Sequence, residues 1–254
     1  MSKLFDISND LFHNTDEEMI QMKIELWSDF ACPFCYIGKK RFEQALESFP
    51  HRDEVEVVYK AYQLNPNAPK VMKGSPLEAF AKGHNMTVDT AKQRFDMFKQ
   101  QASTVGLNYD YDKIQMTNSF DAHRLAKWAN KFDKEQLFTE RFMKAYFTEG
   151  LNIADANTIL SLVKELELDE QEAKAVIASN QFKDQVLNEI KEGKEIGVQG
   201  VPFFVLNRKY GISGAQPVEY FTQALNTLWK EESALKPINN IVHGQTCDDE
   251  GCSI

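Results

Sequence analysis

Lys23-Ile24-Glu25-Leu26-Trp27-Ser28, followed after a short gap by Cys32-Pro33-Phe34-Cys35, is the stretch that decides the fold. Ile24 to Trp27 reads as a strand. Beyond the cysteines, Ile37, Phe42, Ala45, Leu46 and Phe49 share one helical face, so a helix begins near Cys32. Val55 to Tyr62 reads as a second strand. Strand, helix and strand in that order make the right-handed crossover of a parallel sheet.

Two cysteines at the mouth of a helix have a chemical reading. A thiolate, not a thiol, attacks a disulfide, and the N–H groups and dipole of a helix N-terminus favour a negative charge there. Cys32 comes first and is the more exposed, which makes it the candidate nucleophile. Cys35 follows within one helical turn and is placed to resolve a mixed disulfide. Pro33 suits the first helical turn, where its missing N–H costs nothing. The alternatives are a pair of buried structural thiols or half of a zinc site.

Outward from this centre the periodicity changes twice. Residues 75–196 read as helical throughout, with Val88, Ala91, Phe95, Phe98, Ala102 and Val105 stepping by three and four. Further helices are expected at 121–132, 135–148, 155–166, 170–179 and 181–195. Asp155 and Asp169 fit as N-caps, and Glu172 after Asp169 suggests a capping box. From Gly197 the pattern returns to strands, at Val201–Leu206 and Tyr210–Ser213, before Pro217 opens a last helix carrying Val218, Phe221, Leu225 and Leu228. The predicted class is therefore α/β, a thioredoxin-like fold interrupted by a large helical insertion. An N-terminal extension (1–21) leads into a first thioredoxin-like segment (22–74). The helical insertion (75–196) follows, then a second thioredoxin-like segment (197–232) and a C-terminal tail (233–254).

A second motif is Gly200-Val201-Pro202-Phe203-Phe204-Val205. Proline cannot donate to a ladder, so Pro202 belongs at a strand start or edge. Together with Trp27-Ser28-Asp29-Phe30-Ala31-Cys32-Pro33-Phe34-Cys35-Tyr36-Ile37-Gly38, this segment resembles the DsbA family of thioredoxin-fold proteins. More narrowly it resembles the FrnE-like branch, related to 2-hydroxychromene-2-carboxylate isomerases and kappa-class glutathione transferases. The resemblance spans about 23–232 and takes in Phe120-Asp121-Ala122-His123-Arg124-Leu125. It implies a cis peptide at Pro202 beside the cysteine pair, and a backbone at Val201 that docks an extended substrate segment. Pro33 and Phe34 become substrate contacts. Phe34 offers a thiolate no side-chain donor, so the couple is expected to be less oxidising than the strongest family members, at about −120 mV. His123 reads as a packed residue of a helix start capped by Ser119 or Asp121, with an electrostatic neighbour of the cysteines or a substrate contact as the alternatives.

The tail ends Cys247-Asp248-Asp249-Glu250-Gly251-Cys252, a C-x4-C pair that some FrnE-like proteins are similar in carrying. Its acids disfavour thiolates, so these cysteines should be poorer nucleophiles than Cys32. About twenty residues of tail reach on the order of 60 Å when extended. Cys247 and Cys252 are therefore candidates for a redox relay to Cys32–Cys35, with metal binding or no role as the alternatives.

Composition narrows the partners. A net charge of −9 opposes nucleic acid and anionic membranes. No stretch reaches the roughly eighteen apolar residues of a membrane span. Residues 1–21 hold five acids, one Lys and no apolar run, so no secretory signal is read and a cytoplasmic location is expected. In a reducing compartment, paired cysteines point to catalysis, redox sensing or metal. The expectation is a dithiol–disulfide oxidoreductase or isomerase acting on protein or small-thiol disulfides, as monomer or homodimer. It needs no cofactor and no metal, with glutathione as a redox partner. A glutathione-dependent isomerase or transferase on the same fold is the first alternative, although such relatives generally lack a second cysteine. A zinc or other metal-binding thiolate protein is the second.

Overall fold

A computed structural model describes residues 22–233, together with 247–248 and 251–252. Four strands form one mixed sheet. Strand β1 (Met22–Ser28) runs parallel to β2 (Val55–Ala61) and antiparallel to β3 (Phe203–Leu206). Strand β4 (Tyr210–Ser213) pairs with β3, giving the order β2-β1-β3-β4. Between β1 and β2 lies helix α1 (Pro33–Glu47). Central strand β1 buries Met22, Ile24 and Leu26 on one face, and Trp27 beside the buried Glu25 carboxylate on the other.

One face of the sheet is closed by α1 and the last helix, α9 (Val218–Ser233). Phe42 of α1, Phe204 of β3 and Phe221 of α9 meet there, with ring centroids 4.7–5.6 Å apart. Fully burying rings of this size contributes roughly 2–3 kcal/mol each, which ties the two sequence-distant halves of the sheet together.

Between β2 and β3 the chain forms α2 (Pro76–Gly83), α3 (Val88–Ser103), α4 (Phe120–Ala129) and α5 (Glu135–Phe147). It continues through α6 (Ala156–Glu165), α7 (Glu170–Ala178) and α8 (Lys183–Glu195). The rings of Phe138 and Phe142 stack at 3.9 Å, and the apolar cluster they belong to includes both Cys32 and Cys35. The helical block therefore shares a core with the cysteine pair.

Three sequence expectations are corrected. The segment 104–119 is not helical. Helix α3 ends before Gly106, which adopts φ +76°, a conformation open to glycine, and Tyr109, Tyr111 and Ile114 are buried without helical period. Ser119 occupies the N-cap position of α4, as expected, but its side chain makes no cap hydrogen bond, and Asp121 lies within the first turn. Asn118 Oδ1 accepts the Phe120 N–H at 2.9 Å, and Asp121 pairs instead with Lys70 and Arg124. Asp155 and Asp169 do cap α6 and α7, but Glu172 turns its carboxylate to the Trp128 indole N–H at 3.0 Å rather than closing a capping box.

In the tail, β5 (Cys247–Asp248) and β6 (Gly251–Cys252) pair antiparallel, with Cys247 opposite Cys252. The side chains of both cysteines lie outside the described residues, as does the N-terminal extension.

Candidate active site

The site is built where β1 runs into α1. Cys32 occupies the N-cap of α1 in an extended conformation (φ −94°, ψ 116°), and Pro33 fills the first turn. No acidic residue lies in that turn, so nothing there opposes a thiolate facing the helix dipole. The turn from Asp29 is closed by the Cys32 N–H donating to Asp29 O at 3.1 Å. Cys32 is 4% exposed and Cys35 is fully buried. Both are free thiols.

The two sulfurs have different surroundings. Cys32 Sγ lies 3.5 Å from the Val201 carbonyl, to which its thiol donates. Cys35 Sγ accepts the Asp29 N–H at 3.4 Å. Burial pushes the Cys35 thiol well above its ordinary range, and the neighbouring Cys32 adds to that rise. The Ser28 side chain and the Asp29 N–H act in the opposite sense.

The Val201–Pro202 peptide is cis and lies against the start of α1. A Cβ on Gly38 would come within 2.8 Å of Pro202 Cγ, so α1 and the proline loop touch only because that residue has no side chain. The Pro202 carbonyl accepts the Gly214 N–H at 2.8 Å, which fixes the other side of the loop.

In front of Cys32 opens a groove of about 930 Å³. Cys32, Pro33, Phe34 and Val201 line it on the sheet side, and residues of the 64–73 loop, α2, α3 and the 104–119 segment line the other. Its walls are mostly apolar, with Phe34 packed edge-to-face on Phe98 at 5.4 Å. Lys73, His84 and Arg94 bring potential positive charge to its border. Tyr109 donates its hydroxyl to Pro33 O at 2.8 Å and so anchors the insertion to the cysteine turn.

His123 does not line this groove, which corrects its reading as a substrate contact. Helix α4 turns it inward, 4% exposed, with Nε2 3.4 Å from Asp29 Oδ1 and its ring on Phe30. Burial alone would raise the Asp29 carboxyl. His123, Ser119 and the Leu64 N–H outweigh that and hold it below the ordinary carboxylate range. Sequence reasoning passed over Asp29 as one residue within a motif. Its signal was an acid in a tight turn between a buried strand and a buried helix, where it must find partners. Ser28, Tyr109 and Tyr111 carried no comparable signal. Among the described residues no group of three or more His, Cys, Asp or Glu is placed to hold a metal ion.

A dithiol at a helix N-terminus, opposed by a cis-proline loop from the far half of a mixed sheet, defines a thioredoxin-fold redox protein. Residues 23–226 match the DSBA-like thioredoxin domain, and the chain belongs to that family. It is similar to a probable DsbA oxidoreductase from Streptomyces coelicolor, at 36% identity and a TM-score of 0.80 over 92% of this chain and 99% of that one. The cytosolic disulfide reductase DsbM from Pseudomonas aeruginosa, also solved with GSH, has the same fold at 16% identity and a TM-score of 0.59. That likeness covers 82% of this chain and 99% of DsbM. The uncharacterized protein YwbO of Bacillus subtilis is 24% identical over 82% of this chain and 98% of its own length.

Proposed function

We propose that the protein is a cytoplasmic dithiol–disulfide oxidoreductase that exchanges disulfides with small-thiol or protein substrates through Cys32 and Cys35. The observation that carries this reading is the pairing of unequal sulfurs, one at a helix N-cap on a large groove and one sealed directly behind it. The Cys32 thiolate attacks one sulfur of a substrate disulfide. A Cys32–substrate bond forms, the substrate S–S bond breaks, and the first substrate thiolate leaves. Cys35 then gives up its proton and attacks Cys32 Sγ. The Cys32–Cys35 disulfide forms, the second substrate thiolate leaves, and the substrate is reduced by two electrons. The reverse sequence oxidises a dithiol.

The groove suits substrates with apolar flanks, and the Val201 backbone beside Cys32 supports docking of an extended segment. DsbM's crystallisation with GSH favours glutathione as the redox partner that resets the pair. Cys247 and Cys252, opposed in a short hairpin, are assigned to relay electrons between the pair and that partner. The test is a trapping experiment. Cys35→Ser accumulates a substrate–Cys32 mixed disulfide visible by mass spectrometry, whereas Cys32→Ser forms none. A Cys32→Ser protein that still turns over would overturn the reading.

A further inference from the structure

Tyr109, Tyr111 and Tyr146 gather in the core shared by the helical block and the cysteine pair, and two of their hydroxyls are occupied. Tyr109 donates to Pro33 O at 2.8 Å, and the Tyr146 hydroxyl is bonded to the Thr117 N–H. Tyr111 is different. It lines the groove, is 4% exposed, and has its ring fixed by stacking on Phe95 at 4.2 Å. Its hydroxyl is buried and has no hydrogen-bond partner among the described residues. A buried hydroxyl left this way costs free energy, which an acceptor carried in by a ligand would recover.

The Tyr111 hydroxyl also lies within the field of Cys32, so a ligand that satisfies it is one held near the attacking sulfur. Burial first, then Tyr146 and Cys32, hold the phenol well above its ordinary range. Tyr111 therefore keeps its proton and offers a fixed donor rather than an acid. Cys32 is not its acceptor, because that thiol is turned to the Val201 carbonyl at 3.5 Å. Strand geometry supplies one. In a trans peptide the N–H of one residue and the carbonyl of the residue before it point in opposite directions. A substrate cysteine whose N–H faces Val201 thus turns the preceding carbonyl away from the sheet side. It then faces the wall built by α2, α3 and the 104–119 segment, which carries Tyr111.

We propose that the Tyr111 hydroxyl donates to the amide carbonyl preceding the substrate cysteine, which makes Tyr111 a specificity residue for peptide disulfides, oxidised glutathione included. The inference rests on the dithiol reading above and names the substrate class of that site. In glutathione the carbonyl concerned is that of the γ-glutamyl amide. The mostly apolar walls keep competing water away from the contact and so strengthen it. A disulfide without such a carbonyl leaves the hydroxyl as unpaired as it is in the free protein and gains nothing from it.

The test compares two disulfides on the reduced full-length protein with Cys247 and Cys252 replaced by Ser. Oxidised glutathione carries the carbonyl, and cystamine, with only an ammonium beyond its carbons, does not. Formation of the Cys32–Cys35 disulfide is followed by acid quench, alkylation and mass spectrometry. Tyr111→Phe, which keeps the ring on Phe95, should slow oxidation by glutathione disulfide about tenfold. Its deficit with cystamine should be less than twofold, and that rate also reports that the variant is folded. The pH dependence of Cys32 alkylation by iodoacetamide should be the same in variant and wild type. The proposal is overturned if both disulfides slow in proportion, or if neither does. It is equally overturned if Cys32 alkylation shifts to higher pH in the variant, since the hydroxyl would then serve the Cys32 thiolate. A protein with Tyr111 intact that forms no internal disulfide with either reagent would instead remove the dithiol reading itself, whatever Tyr111 does.

Discussion

Cys32 and Cys35 are three residues apart, yet one thiol faces a groove and the other a sealed interior. That asymmetry is set by a single turn, and Asp29 holds the turn. Its Oδ1 accepts the Ala31 N–H at 3.2 Å and its Oδ2 accepts the Leu64 N–H at 2.8 Å, joining the cysteine turn to the groove wall. Asp29→Asn leaves only one side-chain acceptor and loses the charge facing His123. The expected cost is about 1–3 kcal/mol at pH 7, read from urea unfolding. The pH dependence has a fixed sign. A carboxyl held below its ordinary value adds stability that is complete above about 3.9 and fades as pH falls through the lower folded value. The wild-type advantage over Asp29→Asn should therefore shrink in acid, and a difference independent of pH would contradict this. The cysteine pair was legible from spacing and context. The Asp29–His123 contact was not, because it joins residues from separate elements that share no period.

At the scale of elements, the helices were legible because their apolar residues step by three and four, and the caps of α6 and α7 because Asp precedes each first turn. The 104–119 segment escaped this reading because its buried residues are held by particular contacts. The Asp110 N–H donates to Phe147 O at 2.8 Å, and Tyr109 reaches Pro33. The join between α1 and α5 is similarly specific. Lys39, only 2% exposed, sits between Glu43 at 2.6 Å and Glu140 at 2.5 Å, and Tyr36 donates to Glu140 at 2.7 Å. Burial alone would raise the Glu140 carboxyl, but Lys39, Lys40 and Tyr36 hold it at about 2. Its contribution is thus complete above about 4.5 and lost as pH falls from there to about 2. Glu140→Gln should lower stability by about 1 kcal/mol at pH 7, with Glu43 still serving Lys39. By pH 2 the two proteins should be nearly equal. Thermal melts of both at pH 7 and pH 2.5 measure the convergence.

At the scale of the molecule, β1 and β2 come from the beginning of the chain, β3 and β4 from near its end, and the block between them builds the far wall of the groove. The order of elements was readable in the changing hydrophobic period. The groove was not, because its volume arises from packing between segments that no local pattern relates. The charge distribution has a consequence for substrates. The chain carries −9 overall, so an anionic disulfide approaches against the net field and depends on the cations at the groove border. Arg94→Ala should raise KM for oxidised glutathione by about fivefold, the effect of one exposed charge, and leave kcat nearly unchanged. Added salt should narrow the gap between variant and wild type. An unchanged KM at low ionic strength would place glutathione elsewhere.

The central claim is that Cys32 and Cys35 form a reversible redox couple. Its most direct test is the equilibrium of that pair in glutathione buffers of graded ratio, with Cys247 and Cys252 replaced by Ser. One two-electron transition between about −120 and −270 mV is the expected result, and its position sets whether the enzyme oxidises or reduces its substrates. A pair that stays dithiol across the whole range, or that binds glutathione without forming an internal disulfide, would contradict the account.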